Sequence, residues 1–165
     1  AAASPQRAAR TAVPALAPMT FRDFLGPPPA TAGLDVETVE RIGFSGHSYG
    51  GRMALWAPAY DQRFAASVSH CGCIPYRHSY SPDTGVQAEF VLPGFAAAHD
   101  LEDVIAEFGR TALLISGGRA DKWSRGAEEL AAALGDRVEL ALYDAGHVFT
   151  APMRERAYRF LTQHC

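Results

Sequence analysis

The run Arg41 to Trp56, RIGFSGHSYGGRMALW, places a demand on the backbone that few folds can meet. Ile42 and Phe44 alternate with small residues in the two-residue period of a strand, whereas Met53-Ala54-Leu55-Trp56 has helical character. Between them lie only GHSYGG, so the chain must pass from strand to helix through one sharp corner with Ser48 at its apex. Such a corner holds its apical residue in a strained conformation, and side chains two positions away on either side are expected to collide. Gly46 and Gly50 are therefore expected for steric clearance, with Gly51 extending it into the helix. The Ser48 hydroxyl would stand above the sheet edge at a helix N-terminus, where the positive dipole end favours developing negative charge.

The remaining apolar runs repeat this alternation. Strands are predicted over Val39–Ser45, Ala65–His70, Thr111–Ser116 and Val138–Tyr143. Helices are predicted over Tyr49–Ala57, Asp100–Phe108, Ser124–Leu134 and Pro152–His164, the last with proline in its first turn. Strand–helix–strand order predicts an α/β fold, a parallel sheet with helices on its faces. Pro75–Ala98 interrupts the rhythm with prolines, glycines and aromatics. A long irregular segment of this kind is expected to be an insertion or lid loop over the carboxyl ends of the strands.

Composition narrows the class of partner. At 165 residues the chain has room for one domain, placed at 34–165. A net charge of -3 and a pI near 6.1 give no attraction to phosphate backbones or anionic membranes, so neither nucleic acid nor membrane is an expected partner. No apolar run reaches the roughly 18 to 20 residues that span a bilayer, and a soluble protein is expected. Cys71, Cys73 and Cys165 are too few and too unevenly spaced for a disulfide framework, which leaves free thiols. Residues 1–33 form an Ala/Pro-rich lead, expected to be flexible, and its opening loosely resembles a transit segment. The chain does not begin with methionine, so neither its natural start nor its cellular compartment follows from it.

A serine hydroxyl attacks poorly until a base accepts its proton and a third group orients that base. Asp121 follows the TALLIS strand and His147 follows the VELALY strand, so both fall on the sheet edge that carries Ser48. In doubly wound sheets that edge binds ligands. Asp144 is the nearest rival to Asp121, but it precedes His147 by only three residues and is expected to shape the loop. Trp123 would line an acyl pocket or pack into the core. Cys71, with no basic neighbour in sequence, is expected to be a buried small hydrophobe. His70, His78 and His99 share no metal-ligand spacing, and no metal site and no cofactor are expected.

Together, GHSYGGRMALWAPAYDQRFAASVSHCG, a helix beginning HDLED, LLISGGRADKWSRGAEEL and YDAGHVF resemble the dienelactone hydrolase and acetyl xylan esterase-like branch of the α/β-hydrolase superfamily. The resemblance runs from about Leu34 to His164. It implies that Ser48 is an acyl nucleophile in a nucleophile elbow, His147 the general base and then acid, and Asp121 the carboxylate that completes a catalytic triad. The backbone N–H of Tyr49 would be one oxyanion-hole donor. The implied activity is that of a serine esterase cleaving small carboxylic esters through an acyl-enzyme. A catalytically weak or silent remnant, and a peptidase or acyltransferase on the same residues, stay open as alternatives.

The chain departs from that pattern in one respect. A full fold of this type has eight strands, and the four recognisable here correspond to its last four. The 39–45 strand, central in the parent fold, would then present an apolar edge. A homodimer, or an N-terminal segment pairing along that edge, is expected to cover it. No HGG-like motif precedes Ser48 to supply a second oxyanion donor, and backbone N–H groups of Met19–Gly26 are the first candidates.

Overall fold

The computed structural model describes residues 41–84 and 92–165. Strands β1 (Ile42–His47), β2 (Phe64–His70), β3 (Ala112–Gly118) and β4 (Val138–Tyr143) form one parallel sheet in the order β1-β2-β3-β4. Helices α1 (Tyr49–Tyr60), α2 (Tyr76–Ser79), α3 (Leu101–Ala106), α4 (Ala127–Leu134) and α5 (Ala151–His164) lie between and after the strands. This is the predicted α/β architecture of strands alternating with helices. Parallel pairing places every carboxyl end, and the loop that follows it, on one edge.

Period-two alternation divides the sheet between two apolar clusters. Leu113 and Ile115 point into the larger one with Leu55, Ile74, Tyr76, Phe95, Val104 and Leu130, beneath α1, α3 and α4. Ala66, Val68 and Leu114 point the opposite way and pack on Ala157 and Phe160 of α5. Two positions beyond Val68 and Leu114, on the α5 face, come His70 and Ser116, and His47 of β1 is in register with His70.

The elements differ from expectation in ways that have local causes. β1 runs two residues past Ser45, because Gly46 and His47 continue their pairing with Ser69 and His70. Helix α1 continues through Pro58, which has no N–H to offer the Ala54 carbonyl. The Ser67 hydroxyl of β2 donates to that carbonyl instead, at 2.6 Å. The helix predicted over Ser124–Leu134 divides into a 3-10 turn, Lys122–Ser124, and α4, because Gly126 adopts a left-handed φ of 79° between them. Asp100 is the N-cap of α3, in a reciprocal capping box with Asp103.

The described part of the Pro75–Ala98 segment is anchored at several points. The backbone N–H groups of Tyr76 and Arg77 donate to the Asp100 carboxylate at 2.7 and 3.1 Å, and Arg77 pairs with Asp100, Glu102 and Glu129. Asp83 pairs with Arg125, which holds this segment against the turn after β3, at the carboxyl edge of the sheet. Residues 85–91 of the expected lid lie outside the described residues, as does the 1–33 lead. Among the described residues β1 is paired on one side only, to β2. The segment expected to cover its other side, and the Met19–Gly26 candidates for a second oxyanion donor, fall within residues 1–40 and so also lie outside. No helix among the described residues is long and apolar enough to cross a membrane.

Candidate active site

Ser48 sits at the junction of β1 and α1 with φ 59° and ψ -117°, a conformation rarely held by a residue with a side chain. It is the N-cap of α1, but its hydroxyl makes no capping hydrogen bond. An N-cap serine ordinarily accepts from the first-turn N–H groups. Here the side chain turns to His147 instead. As the first residue of α1, Tyr49 has no intrahelical acceptor for its N–H, which stands at the positive end of the helix.

The glycines around this corner do not divide the work as expected. A Cβ on Gly46 would lie far inside contact distance of the Gly50 carbonyl, so the clearance expected at that position is required. Gly50 corrects the expectation: a Cβ there meets no described atom within 4 Å. Gly51 carries the constraint instead, since its Cβ would run into the His70 carbonyl, and Gly51 is buried. The physical reason is the direction of the helix surface. Position 51 faces the end of β2, whereas position 50 faces outward. Gly72 adds a requirement from the neighbouring loop, because its Cβ would lie 2.5 Å from the Ser48 carbonyl oxygen.

The tertiary structure brings Ser48, His147 and Asp121 together from three loops. His147 Nε2 lies 2.8 Å from Ser48 Oγ, and His147 Nδ1 lies 2.9 Å from Asp121 Oδ1. A carboxylate can only accept, so in the neutral ring Nδ1 carries the proton and Nε2 presents its lone pair to the serine hydroxyl. Asp121 is buried, with three protein donors on its two oxygens: Oδ1 also accepts from the Trp123 N–H at 3.0 Å, and Oδ2 accepts from the Ser124 hydroxyl at 2.7 Å. Ser48 and His147 remain open to solvent, His147 with 33% of its side chain exposed. The arrangement can move a proton from a hydroxyl to a held imidazole at an accessible surface.

Asp144, the rival acid, is almost wholly exposed and lies 3.8 Å from Arg119. His78 and His99 are engaged elsewhere, by Glu129 at 2.9 Å and Asp103 at 3.4 Å. Trp123 packs against the larger cluster, and its ring centroid lies 6.4 Å from that of His147, so it both packs and borders the site. Tyr49, at the start of α1, and Val148 and Phe149, in the loop that carries His147, are exposed apolar side chains. A cavity of about 530 Å³, lined by Arg119, Lys122, Arg125 and Glu128, touches this site through Asp121 and Ser124.

The environments of three residues at the site, Cys71, His70 and His47, are set by the tertiary structure. Cys71 is buried as expected, yet it is a non-glycine residue at φ 52°, and burial followed by the nearby Asp121 charge pushes its thiol up to about 11. Such a thiol is protonated and a poor nucleophile. His70 is wholly buried against the Phe149 ring, 4.5 Å between centroids, and desolvation holds its imidazole down at about 4. His47 stacks 4.9 Å from the His147 ring, and its affinity for a proton is lowered by burial and then by His147. Cross-strand register could have paired His47 with His70, but only after the strands had been aligned.

Known proteins share this framework. The glucuronoyl esterase of carbohydrate esterase family 15 from Caldicellulosiruptor kristjansonii superimposes with a TM-score of 0.53 at 24% identity, over 74% of this chain and 42% of that one. Acetyl xylan esterase 1 from Thermoanaerobacterium sp. JW/SL YS485 gives 0.52 at 20% identity, over 75% and 45%. The acylaminoacyl peptidase of Pyrococcus horikoshii gives 0.54 at 22% identity, over 73% and 22%. The chain thus spans less than half the length of each of these structures, and at such identities they establish the fold, that of part of an α/β hydrolase. No curated protein sequence matches it significantly. The prolyl oligopeptidase family, Peptidase_S9, matches residues 19–159, a span that includes Ser48, Asp121 and His147, and the chain belongs to that family within the α/β-hydrolase superfamily.

Proposed function

We propose that this chain carries the catalytic centre of a serine hydrolase that cleaves carboxylic esters through an acyl-enzyme on Ser48. The observation that supports it is the continuous hydrogen-bonded series Ser48–His147–Asp121, at 2.8 and 2.9 Å, ending in a buried carboxylate. Ser48 Oγ attacks the ester carbonyl carbon while its proton passes to His147 Nε2. The new oxyanion faces the Tyr49 N–H. Collapse of the tetrahedral intermediate breaks the bond to the alcohol oxygen, which leaves with the proton from His147. Water then repeats the sequence on the acyl-enzyme and releases the acid. Asp121 keeps the imidazole in the tautomer that this exchange requires and stabilises the imidazolium that forms.

Esters with good leaving groups are the first substrates to test, with the Tyr49 N–H as one oxyanion donor. Loss of one donor from a complete hole costs roughly 10² to 10³ in rate, and a good leaving group asks less of the hole. A peptidase is the second reading, favoured by membership of a family named for an oligopeptidase. The test compares a p-nitrophenyl short-chain ester with a blocked peptide p-nitroanilide, and adds a fluorophosphonate label. Ester turnover that Ser48→Ala lowers by as much as about 10⁶, with labelling at Ser48, supports the esterase reading. Faster cleavage of the amide would favour the peptidase. Absence of both turnover and label would reject the two together.

A further inference from the structure

We infer that His47, Cys71 and His147 form a binding site for one borderline-soft divalent cation of the Zn²⁺ class, and that filling it switches off the serine chemistry. The three residues each offer one ligand atom, and these atoms all lie within 4.8 Å of one another. Tetrahedral Zn²⁺, with bonds of about 2.0–2.1 Å to nitrogen and 2.3 Å to sulfur, sets such atoms roughly 3.3 to 3.7 Å apart. Reaching that spacing takes rotation of the three side chains, His147 away from its present bonds to Asp121 and Ser48. The donor set of one sulfur and two imidazole nitrogens selects zinc or copper over magnesium or calcium.

Several independent features point to the same spot. Cys71 is held in the left-handed region, its backbone N–H bonded to the Ser116 carbonyl at 2.8 Å, and its thiol lies 3.8 Å from the Val148 carbonyl in the loop that carries His147. The thiol is thereby held beside the loop that carries His147. His47 Nε2 is buried and has no hydrogen-bond partner among the described residues. His147 is partly exposed, which leaves an approach from solvent. Asp121 lies beside the cluster, so a thiolate and a carboxylate together balance the two positive charges of the cation.

The inhibitory effect follows from electron counting. Coordination forms one metal–sulfur and two metal–nitrogen bonds, displaces water from the hydrated ion, and releases the Cys71 proton to solvent. A neutral imidazole has a single in-plane lone pair. If the metal takes it at Nε2, nothing accepts the Ser48 proton. If it takes Nδ1, the ring must carry its proton on Nε2, which again cannot accept. Either geometry stops the acylation step, so this part of the inference rests on the esterase reading, whereas the binding part does not.

Cobalt(II) provides a probe that is independent of turnover. Metal-free protein titrated with CoCl₂ should take up one equivalent and develop a near-ultraviolet thiolate-to-metal charge-transfer band, which ZnCl₂ then removes by replacement. Cys71→Ser keeps the volume of the side chain and should lose the band. His47→Ala should keep a weakened band and bind more loosely by more than the roughly 10- to 100-fold that outer-shell partners cost. Ser48→Ala, which removes ester turnover, should bind cobalt as the unaltered protein does. In the turnover assay, Zn²⁺ should inhibit the unaltered protein reversibly with a chelator and leave Cys71→Ser active. A band that persists in Cys71→Ser, uptake without any band, or equal inhibition of Cys71→Ser would each overturn the site. Ester turnover undiminished in zinc-saturated protein would overturn the switch.

Discussion

The backbone N–H of Ser48 donates to the carbonyl of His70 at 2.8 Å, and this bond ties the strained corner after β1 to the last residue of β2. The corner is therefore not a local turn alone. The same carbonyl is the atom a side chain at position 51 would strike, and Gly72, two residues on, lies against the Ser48 carbonyl. The end of β2 and the loop that follows it thus hold the Ser48 backbone at both its N–H and its carbonyl.

This arrangement separates two adjacent glycines. Gly51→Ala should lower stability by about 1 to 3 kcal/mol, the usual cost of overpacking a tight site, and ester turnover should fall with it. Gly50→Ala should be neutral or stabilising by up to about 1 kcal/mol, since alanine is the better helix former and its Cβ meets no described atom. Paired urea melts of the two variants would decide between this assignment and the one expected from the sequence motif.

Ser124 acts through Asp121. Its hydroxyl donates to Oδ2 of a buried carboxylate, and hydrogen bonds to charged groups contribute about 1.5 to 3 kcal/mol. Ser124→Ala should lower kcat while leaving KM for a short-chain ester nearly unchanged, and Ser124→Thr should restore part of the loss. Asp121→Asn should cost more, on the order of 10⁴ in kcat, because an amide permits the wrong imidazole tautomer. Steady-state kinetics beside circular dichroism would check both, and unequal folding of the variants would discount the comparison.

His70 predicts the response to acid. Its folded-state value, depressed from 6.5 to about 4 by desolvation, means that the unfolded chain binds the proton more readily. Stability should be fully present above pH 6.5 and fall by about 1.4 kcal/mol per unit as pH drops from 6.5 to about 4. Replacement by a neutral residue of similar volume, His70→Gln, should flatten that slope even where it lowers stability overall. Thermal melts at pH 7, 6 and 5 give the comparison, and parallel slopes would count against a buried neutral His70.

Asp100 joins the segment after β2 to α3. Its carboxylate accepts from the N–H groups of Leu101, Tyr76 and Arg77, and it pairs with the Arg77 guanidinium. Asp100→Ala should cost about 1 to 2 kcal/mol for the cap alone. Limited proteolysis should show earlier cleavage near Tyr80 and Arg77, with Asp100→Asn intermediate. Unchanged cleavage would mean that Asp83 and Arg125 suffice to hold this segment.

The order of strands and helices, their parallel arrangement and the positions of Ser48, Asp121 and His147 at one edge were all legible in the sequence. Each depends on period, punctuation and chain order, which are local or sequential properties. VELALY lies between the breakers of Asp136 and Asp144, and its predicted strand matches β4 to the residue. Other features depend on which surfaces meet. That Gly51 and not Gly50 needs to lack a side chain is set by the direction in which α1 crosses the end of β2. That α1 survives Pro58 is set by Ser67, on a strand whose distance from the helix no periodicity records. The burial of His70, and the meeting of Cys71 with His47 and His147, arise when β1, β2 and the loop after β4 converge. Contacts between residues far apart in the chain exist only once the sheet has assembled, so only the tertiary structure decided them.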